Sequence, residues 1–368
     1  MDRRDALRLM ACGVAAGAGL GALPRRAAAA GYMKEALYYD RLGGLKVRCR
    51  LCPRECVVGD RERGFCGVRE NRGGKYYTLV YGQCAALNLD PIEKKPLFHF
   101  LPGSAAYSIA AAGCNFDCKD CQNWEISQAR PEQIKNPVDL PPKSVAAEAK
   151  RYSAESIAYT YSEPVVFYEY MLDSAQAGHA VGVRSVMISN GSIRPEPMQR
   201  LLPHLDAVKI DLKSVSEKFY REYCVGELAP VLETIKLVKR TGMWLEIVYL
   251  VVPTLNDSEA AVRQMCEWVH SNVGAEVPLH FSRFFPQYQL KKLPPTPYET
   301  MERCWKIARE VGMRFVYVGN VPDTPYENTV CPACGKAVVR RSGFAVLEMN
   351  LRNGACRFCS RKIPGVWA

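Results

Sequence analysis

The sequence predicts an α/β fold: a parallel sheet curled into a barrel or part-barrel, with a cysteine-rich segment before it and another after it. Three observations lead there. Residues 104–325 repeat one arrangement, a short β-prone run, a polar or Gly/Pro turn, then a stretch with helical apolar spacing, and such alternation buries its strands as a parallel sheet under helices. With 368 residues and 48% apolar content, the chain can enclose a full core. Eleven of its sixteen cysteines fall into tight groups of four, three and four, which is how metal ligands are spaced; Cys12, Cys84, Cys224, Cys266 and Cys304 are scattered.

Taken in order, residues 1–30 do not read as globular sequence. Arg3-Arg4 precedes a small-residue stretch from Ala11 to Leu23, and Ala27 to Ala30 offer an A-x-A cleavage pattern. This predicts a twin-arginine-like signal and export to the periplasm, the competing reading being an extension before a start at Met33. The stretch is too short and too rich in Gly and Ala to span a bilayer, so no transmembrane segment is expected.

Residues 31–103 carry Cys49, Cys52, Cys56 and Cys66 in C-x2-C-x3-C-x9-C spacing with Gly and Pro at the bends. That brings four sulfurs round one centre, either zinc or an auxiliary iron–sulfur cluster that feeds electrons. Asp90-Pro91-Ile92-Glu93-Lys94-Lys95-Pro96-Leu97 follows, and its charge and proline content read as a solvated loop.

In the repeating core the strand candidates are Tyr107–Ala111, Ser156–Thr160, Ser185–Ile188, Ala207–Ile210, Trp244–Val251, Leu279–Phe281 and Arg314–Val318. Helical candidates lie between them at Lys143–Arg151, Val165–Ala177, Glu227–Arg240, Ser258–Val269 and Tyr298–Val311. Unusual residues sit in the turns after the strands, among them Ser162-Glu163-Pro164, Ser189-Asn190-Gly191 and Asp211-Leu212-Lys213. In a parallel barrel those turns share one mouth, so they converge on one cavity. Each also has a structural reading: Glu163 as a helix-start residue, Asn190-Gly191 as a turn, Lys213 as surface.

The turn after the first strand holds Cys114, Cys118 and Cys121 in C-x3-C-x2-C spacing. A closed [4Fe-4S] site takes four thiolates, so three at loop spacing leave one iron free to bind something else. The nearest other cysteines, Cys84 and Cys224, are remote in sequence, and no fourth ligand is expected nearby. Residues 326–368 carry Cys331, Cys334, Cys356 and Cys359, two C-x2-C knuckles of zinc-ribbon type whose four sulfurs are expected to close a structural zinc site, a rubredoxin-type iron being the alternative. The two outer groups are expected to be independent of each other and of the three-cysteine loop.

The excess of 49 basic over 38 acidic residues gives +11, spread along the chain rather than concentrated in one run. A metal-stabilised, non-enzymatic module binding nucleic acid is the alternative this charge and the ribbon raise. The ribbon lacks a clustered basic and aromatic face beyond Arg340-Arg341 and Arg357-Phe358, so no nucleic-acid partner is expected.

The C-x3-C-x2-C loop resembles that of the radical S-adenosylmethionine (SAM) enzymes. Leu51-Cys52-Pro53, Gly64-Phe65-Cys66-Gly67-Val68-Arg69, Asp90 to Leu97, Gln122-Asn123, Tyr161 to Pro164, His280 to Phe284, Tyr317 to Asn320 and Ile363 to Trp367 resemble a narrower group. These are the radical SAM proteins of the AmmeMemoRadiSam system, relatives of pyruvate formate-lyase activating enzymes, and the resemblance covers residues 33–368. It implies a partial (β/α)6-type TIM barrel and a [4Fe-4S] cluster on Cys114, Cys118 and Cys121 whose open iron binds SAM. It further implies reductive SAM cleavage to a 5′-deoxyadenosyl radical and hydrogen abstraction from a protein glycyl residue or a small molecule. By position, Glu163 would accept from the SAM ammonium, Ser162 flanking it. Ser189 and Asn190 would lie near the ribose or carboxylate, and Asp211 and Lys213 would line the SAM or substrate pocket. A flavodoxin or ferredoxin as electron donor and Memo-like and AMMECR-like partners are also implied; dependence on SAM points to the cytoplasm, against the signal. The residue before the third cysteine, commonly aromatic in this superfamily and set over the adenine, is Asp120 here, with Phe116 or Trp124 as substitutes.

Overall fold

Alternation within the strands decides which side chains see the barrel interior, and in this chain the two faces carry different chemistry. The computed structural model describes residues 32–322 and 324–368; the signal expected over residues 1–30 lies outside them. Seven parallel strands form the sheet: β2 (Ala105–Ala110), β3 (Ser156–Tyr159), β4 (Arg184–Ser189), β5 (Ala207–Asp211), β6 (Trp244–Val251), β7 (Leu279–Arg283) and β8 (Val316–Gly319). An eighth, β1 (Ala86–Pro91), runs antiparallel along the edge of β2, with Ala86 opposite Ala110 and Pro91 opposite Ala105. Six strand-and-crossover units closed by a seventh parallel strand match the expected part-barrel. The antiparallel edge strand was not anticipated.

The crossovers include α1 (Pro142–Arg151), α2 (Tyr168–Ala180), α3 (Pro195–Leu201), α4 (Leu228–Arg240), α5 (Glu259–Asn272) and α6 (Tyr298–Val311). Local chemistry sets their ends. Ser258 Oγ accepts from Ala261 N at the start of α5, and Gly312, at φ +103°, ends α6 in the left-handed conformation that glycine adopts cheaply. Outward-facing Ile109, Ile157, Met187, Val208, Ile247, Phe281 and Val318 belong to the main core with the helices. Inward-facing Ala106, Ala158, Val186, Ile188 and Ala207 form a separate cluster closed by Ile92, Leu97 and Phe100. The stretch expected as a solvated loop is therefore a plug. Its apolar residues fill the lower end of the barrel, and Asp90, Glu93 and Lys95 are buried with them.

Glu246 on β6 fastens the plug. Its carboxylate, fully buried, accepts from Phe98 N (3.0 Å), His99 N (2.8 Å) and Trp244 Nε1 (3.0 Å), and lies 2.6 Å from His280 Nε2. A buried carboxylate is costly unless its lone pairs are satisfied, and here all are. His99 extends the network to Pro364 O (2.7 Å) and the Tyr317 hydroxyl (2.5 Å). The C-terminal segment, containing β9 (Ala337–Ser342) and β10 (Ala345–Met349), joins at the same place. Arg341 donates to Phe98 O at 2.7 Å and pairs with Glu93 at 3.6 Å, both side chains being buried. Among the described residues, no helix is long and apolar enough to cross a membrane.

Replacing Glu246 by Ala strands two buried backbone N–H donors, at Phe98 and His99, and the part-buried indole N–H of Trp244. It should cost about 3–5 kcal/mol, read as a lower denaturant midpoint; a loss under about 1 kcal/mol would show that the plug is held otherwise.

Candidate functional site

The upper end of the barrel gathers the turns that follow the strands. The three-cysteine loop leaves β2 through Gly113, whose φ of +95° suits glycine. A Cβ there would stand 2.7 Å from both Cys66 O and Val68 Cγ1. The loop is pinned from every side. Gly113 N donates to Ile126 O (2.9 Å), Cys121 N to Cys118 O (3.1 Å), and Asn115 Nδ2 to Ser192 O (2.7 Å). Phe116, 2% exposed, packs edge-on to Tyr220 and lies against Gly226, leaving it no face for an adenine. Trp124 is half-buried and stacks on Tyr288 at 5.4 Å.

The three sulfurs interact with one another, and burial is the leading cause that holds Cys114 well above the usual thiol range and pushes Cys121 up to about 11. For Cys118 the leading cause is the neighbouring thiol of Cys224, followed by burial. Thiols so placed ionise readily only against a cation, which is the chemistry of a metal-cluster donor set. The arrangement therefore fits an iron–sulfur cluster. Cys224 corrects the expectation of no fourth thiol nearby. It comes from the segment Tyr220–Cys224, whose carbonyls at Tyr223 and Cys224 accept from Lys119 N (3.2 Å) and Asp117 N (3.0 Å). A separation of more than a hundred residues hid that contact from any reading of local spacing.

Glu163 stands beside Cys114. Its Oε1 accepts from Ser189 Oγ (2.7 Å) and Val165 N (3.0 Å), and its Oε2 from Asn190 N (2.8 Å). Burial nevertheless pushes its carboxyl up to about 7. Ser162 Oγ donates to Ala111 O at 2.6 Å, tying this turn to the strand that launches the cysteine loop. Asn190 donates to Asn115 Oδ1 (2.8 Å) and lies 4.0 Å from Cys114 Sγ. Asp211 bridges Lys209 (2.5 Å) and Lys213 (3.4 Å), and Lys213 in turn feels Cys118 and Asp120. Asp120 itself is buried, facing Lys213 and Tyr223. Lysine and tyrosine thus account for the residue that departs from the aromatic pattern.

Cys49, Cys52, Cys56 and Cys66 also come together, each within the electrostatic reach of the others. Burial pushes Cys49 up to about 11 and Cys52 up to about 12, while the buried Arg69 guanidinium favours the thiolates of Cys49 and Cys66. Arg69 is anchored on α2 by Glu169. This group is not remote from the three-cysteine loop. Cys66 O sits against Gly113, Arg54 Nε donates to Asn115 O (2.6 Å), and a groove of about 690 Å³ is lined by both Cys66 and Cys114.

In the ribbon, Cys331 and Cys359 sulfurs are 3.6 Å apart and Cys334 and Cys356 3.7 Å, all four within 4.8 Å of one another. Zn–S bonds of about 2.3 Å in a tetrahedron put sulfurs roughly 3.8 Å apart, so one zinc ion fits. Among the described residues, no other group of His, Cys, Asp or Glu is so tight.

Gly113→Ala should lower the unfolding midpoint, by more than about 2 kcal/mol in stability, and the metal content of the protein. Gly182→Ala, at φ +80° with open space around it, carries the backbone strain alone and should cost about half as much; equal effects would rule out the close approach as the cause.

The family description "Radical SAM superfamily" matches residues 108–266, which include all three loop cysteines and Glu163. An uncharacterized protein of Methanocaldococcus jannaschii is 44% identical over 333 residues, 90% of this chain and 99% of its own. A second uncharacterized protein of that organism is 24% identical over 283 residues, 73% of this chain and 76% of its own. Among solved structures, a radical SAM methyltransferase from Sphaerobacter thermophilus overlays with a TM-score of 0.49 at 15% identity, covering 60% of this chain and 68% of that one. A three-cysteine loop at the mouth of a part-barrel, within a sequence that matches in this way, makes the chain a member of the radical SAM superfamily.

Proposed function

We propose that this enzyme cleaves SAM reductively at a [4Fe-4S] cluster held by Cys114, Cys118 and Cys121, and abstracts a hydrogen atom from a substrate in the barrel lumen. The observation that carries the reading is the convergence of those three sulfurs with Glu163, beside Cys114. When bound, cluster and SAM supply an electron to the sulfonium and a 5′-deoxyadenosyl radical. The chain's residues do the holding. Glu163 keeps a free lone pair on Oε2 after its three protein donors, and a carboxylate there suits an ammonium. Ser189 and Asn190 fix that carboxylate, with Asn190 reaching toward the Cys114 side of the loop. Asp211 and Lys213 occupy the wall below, Lys213 offsetting the negative charge of the sulfurs.

The N-terminal group serves as an auxiliary [4Fe-4S] cluster that passes electrons from a flavodoxin- or ferredoxin-like donor to the loop. Two features support iron over zinc there. Its sulfurs are not drawn together as tightly as the ribbon's, which suits a cubane larger than a single ion, and it abuts the three-cysteine loop through Gly113. The residue matches to the AmmeMemoRadiSam group favour a role within that system, alongside Memo-like and AMMECR-like partners. The substrate is a protein glycyl residue or a small molecule.

Protein reconstituted without oxygen, reduced and given SAM should form 5′-deoxyadenosine, and the combined Cys114→Ala, Cys118→Ala, Cys121→Ala variant should not; no product from a protein with a full cluster would sink the reading. Glu163→Gln should weaken SAM binding by about 10- to 100-fold, the worth of a charge-assisted hydrogen bond. Wild type should bind about eight irons and one zinc. Cys49→Ala with Cys52→Ala should remove about four of those irons; loss of zinc with unchanged iron would assign the N-terminal site to zinc.

A further inference from the structure

Below the turns that carry Glu163 and Asn190, the barrel interior contains charged side chains that make no hydrogen bond to the cysteine loop or to Glu163. Asp90, at the end of β1, is reached by three donors: Lys94 Nζ at 2.8 Å, Lys95 Nζ at 2.6 Å and the Tyr161 hydroxyl. On the opposite wall Lys209, pointing inward from the middle of β5, reaches Asp211 at 2.5 Å. Lys95 is 2% exposed and Lys209 4%. Each ammonium has three N–H donors. Among the described residues each finds one acceptor, leaving two buried donors apiece in the same interior. Buried polar groups normally have partners, and a charged one left short of acceptors is costly.

Two further observations place these donors around one space. Ile92 and Leu97, on either side of Lys95, pack with Ile188, the register partner of Lys209, and with Ala207, two residues before it, so both ammonium groups belong to one interior, where each feels the other's charge. Tyr161 adopts φ +65°, a conformation that an aromatic residue holds only where its surroundings require it. That turn lowers its ring across Lys95 Nζ, 4.4 Å from the centroid, and carries its hydroxyl to Asp90.

We propose that Lys95 and Lys209 bind an anionic group of the substrate, a carboxylate or a phosphate, on the floor of the lumen, with the Tyr161 ring as its wall. The anion supplies the acceptors that the two ammonium groups lack. Held there, it fixes one end of the substrate below the place where SAM is cleaved and leaves the rest of the molecule to reach upward. This assignment of substrate class rests on the radical SAM reading of the site above it.

The test is calorimetry on the reconstituted, unreduced holoprotein. SAM is titrated first, so that a failure of the SAM reading shows by itself, and then succinate and inorganic phosphate are titrated separately. One of the two should bind saturably, and the tighter one names the group. Lys95→Met and Lys209→Met should each weaken that binding at least tenfold, Lys95→Arg should keep it within about threefold, and exposed Lys291→Met should leave it unchanged. A measurement on wild type needs no variant to fold. Burial, offset by Asp90 and reinforced by Lys94 and Lys209, holds Lys95 down to about 8. Succinate stays doubly ionised from pH 7 to 9, so its affinity should fall as pH rises through 8 and Lys95 loses its charge. No saturable binding of either anion, affinity equal in wild type and both Met variants, or affinity flat from pH 7 to 9 would overturn the proposal.

Discussion

The architecture of the site depends on one close approach, that of Gly113 to the backbone at Cys66. Any side chain at position 113 would push the two cysteine groups apart, because the carbonyl of Cys66 and the Val68 side chain occupy the space its Cβ would need. Glycine also adopts the positive φ that turns the chain out of β2 and into the loop. One residue therefore launches the three-cysteine loop and sets its separation from the four-cysteine segment. The other contacts secure that choice: Arg54 on Asn115, Arg194 N on Leu51 O at 3.0 Å, and Arg69 on Glu169.

The barrel supplies the second constraint. Its inward faces are small and apolar on one side, where Ile92, Leu97 and Phe100 enter, and polar on the other, where Lys209, Glu246, His280 and Tyr317 stand on neighbouring strands, the last three against Phe98 and His99. The plug is kept in place by a carboxylate with every lone pair engaged, and the C-terminal segment grips it through Arg341. This closes the lower end, so the lumen opens toward the cysteine loop. The ribbon's zinc-like geometry sits at the opposite end of the chain from the chemistry, and its physical contribution is to hold that plug.

Much of this was legible in the residues. The seven apolar runs became the seven parallel strands within two residues at each end, because a strand buried on both faces must be apolar throughout. The cysteine spacings marked the three groups of thiols that the fold draws together, since loop residues close in sequence are easily brought close in space. What escaped was set by tertiary contact. Asp90 to Leu97 has the composition of a surface loop, and only its neighbours in the lumen, Lys209 and Tyr161 among them, make its charges a buried network. Cys224 is an isolated cysteine in sequence and meets Cys118 through a helical turn that ends at Val225, φ +52°. The nearness of the N-terminal group to the loop follows from Gly113, a glycine indistinguishable in sequence from any turn glycine.

The claim on which the rest stands is that the three-cysteine loop presents an open iron to SAM beside Glu163. Electron paramagnetic resonance of the reduced protein, recorded with and without SAM, measures this directly. The account expects the signal of one cluster to shift when SAM is added, and expects that shift to vanish in Cys114→Ala while the N-terminal cluster's signal persists. A reduced protein with full iron whose spectrum is identical with and without SAM would contradict it.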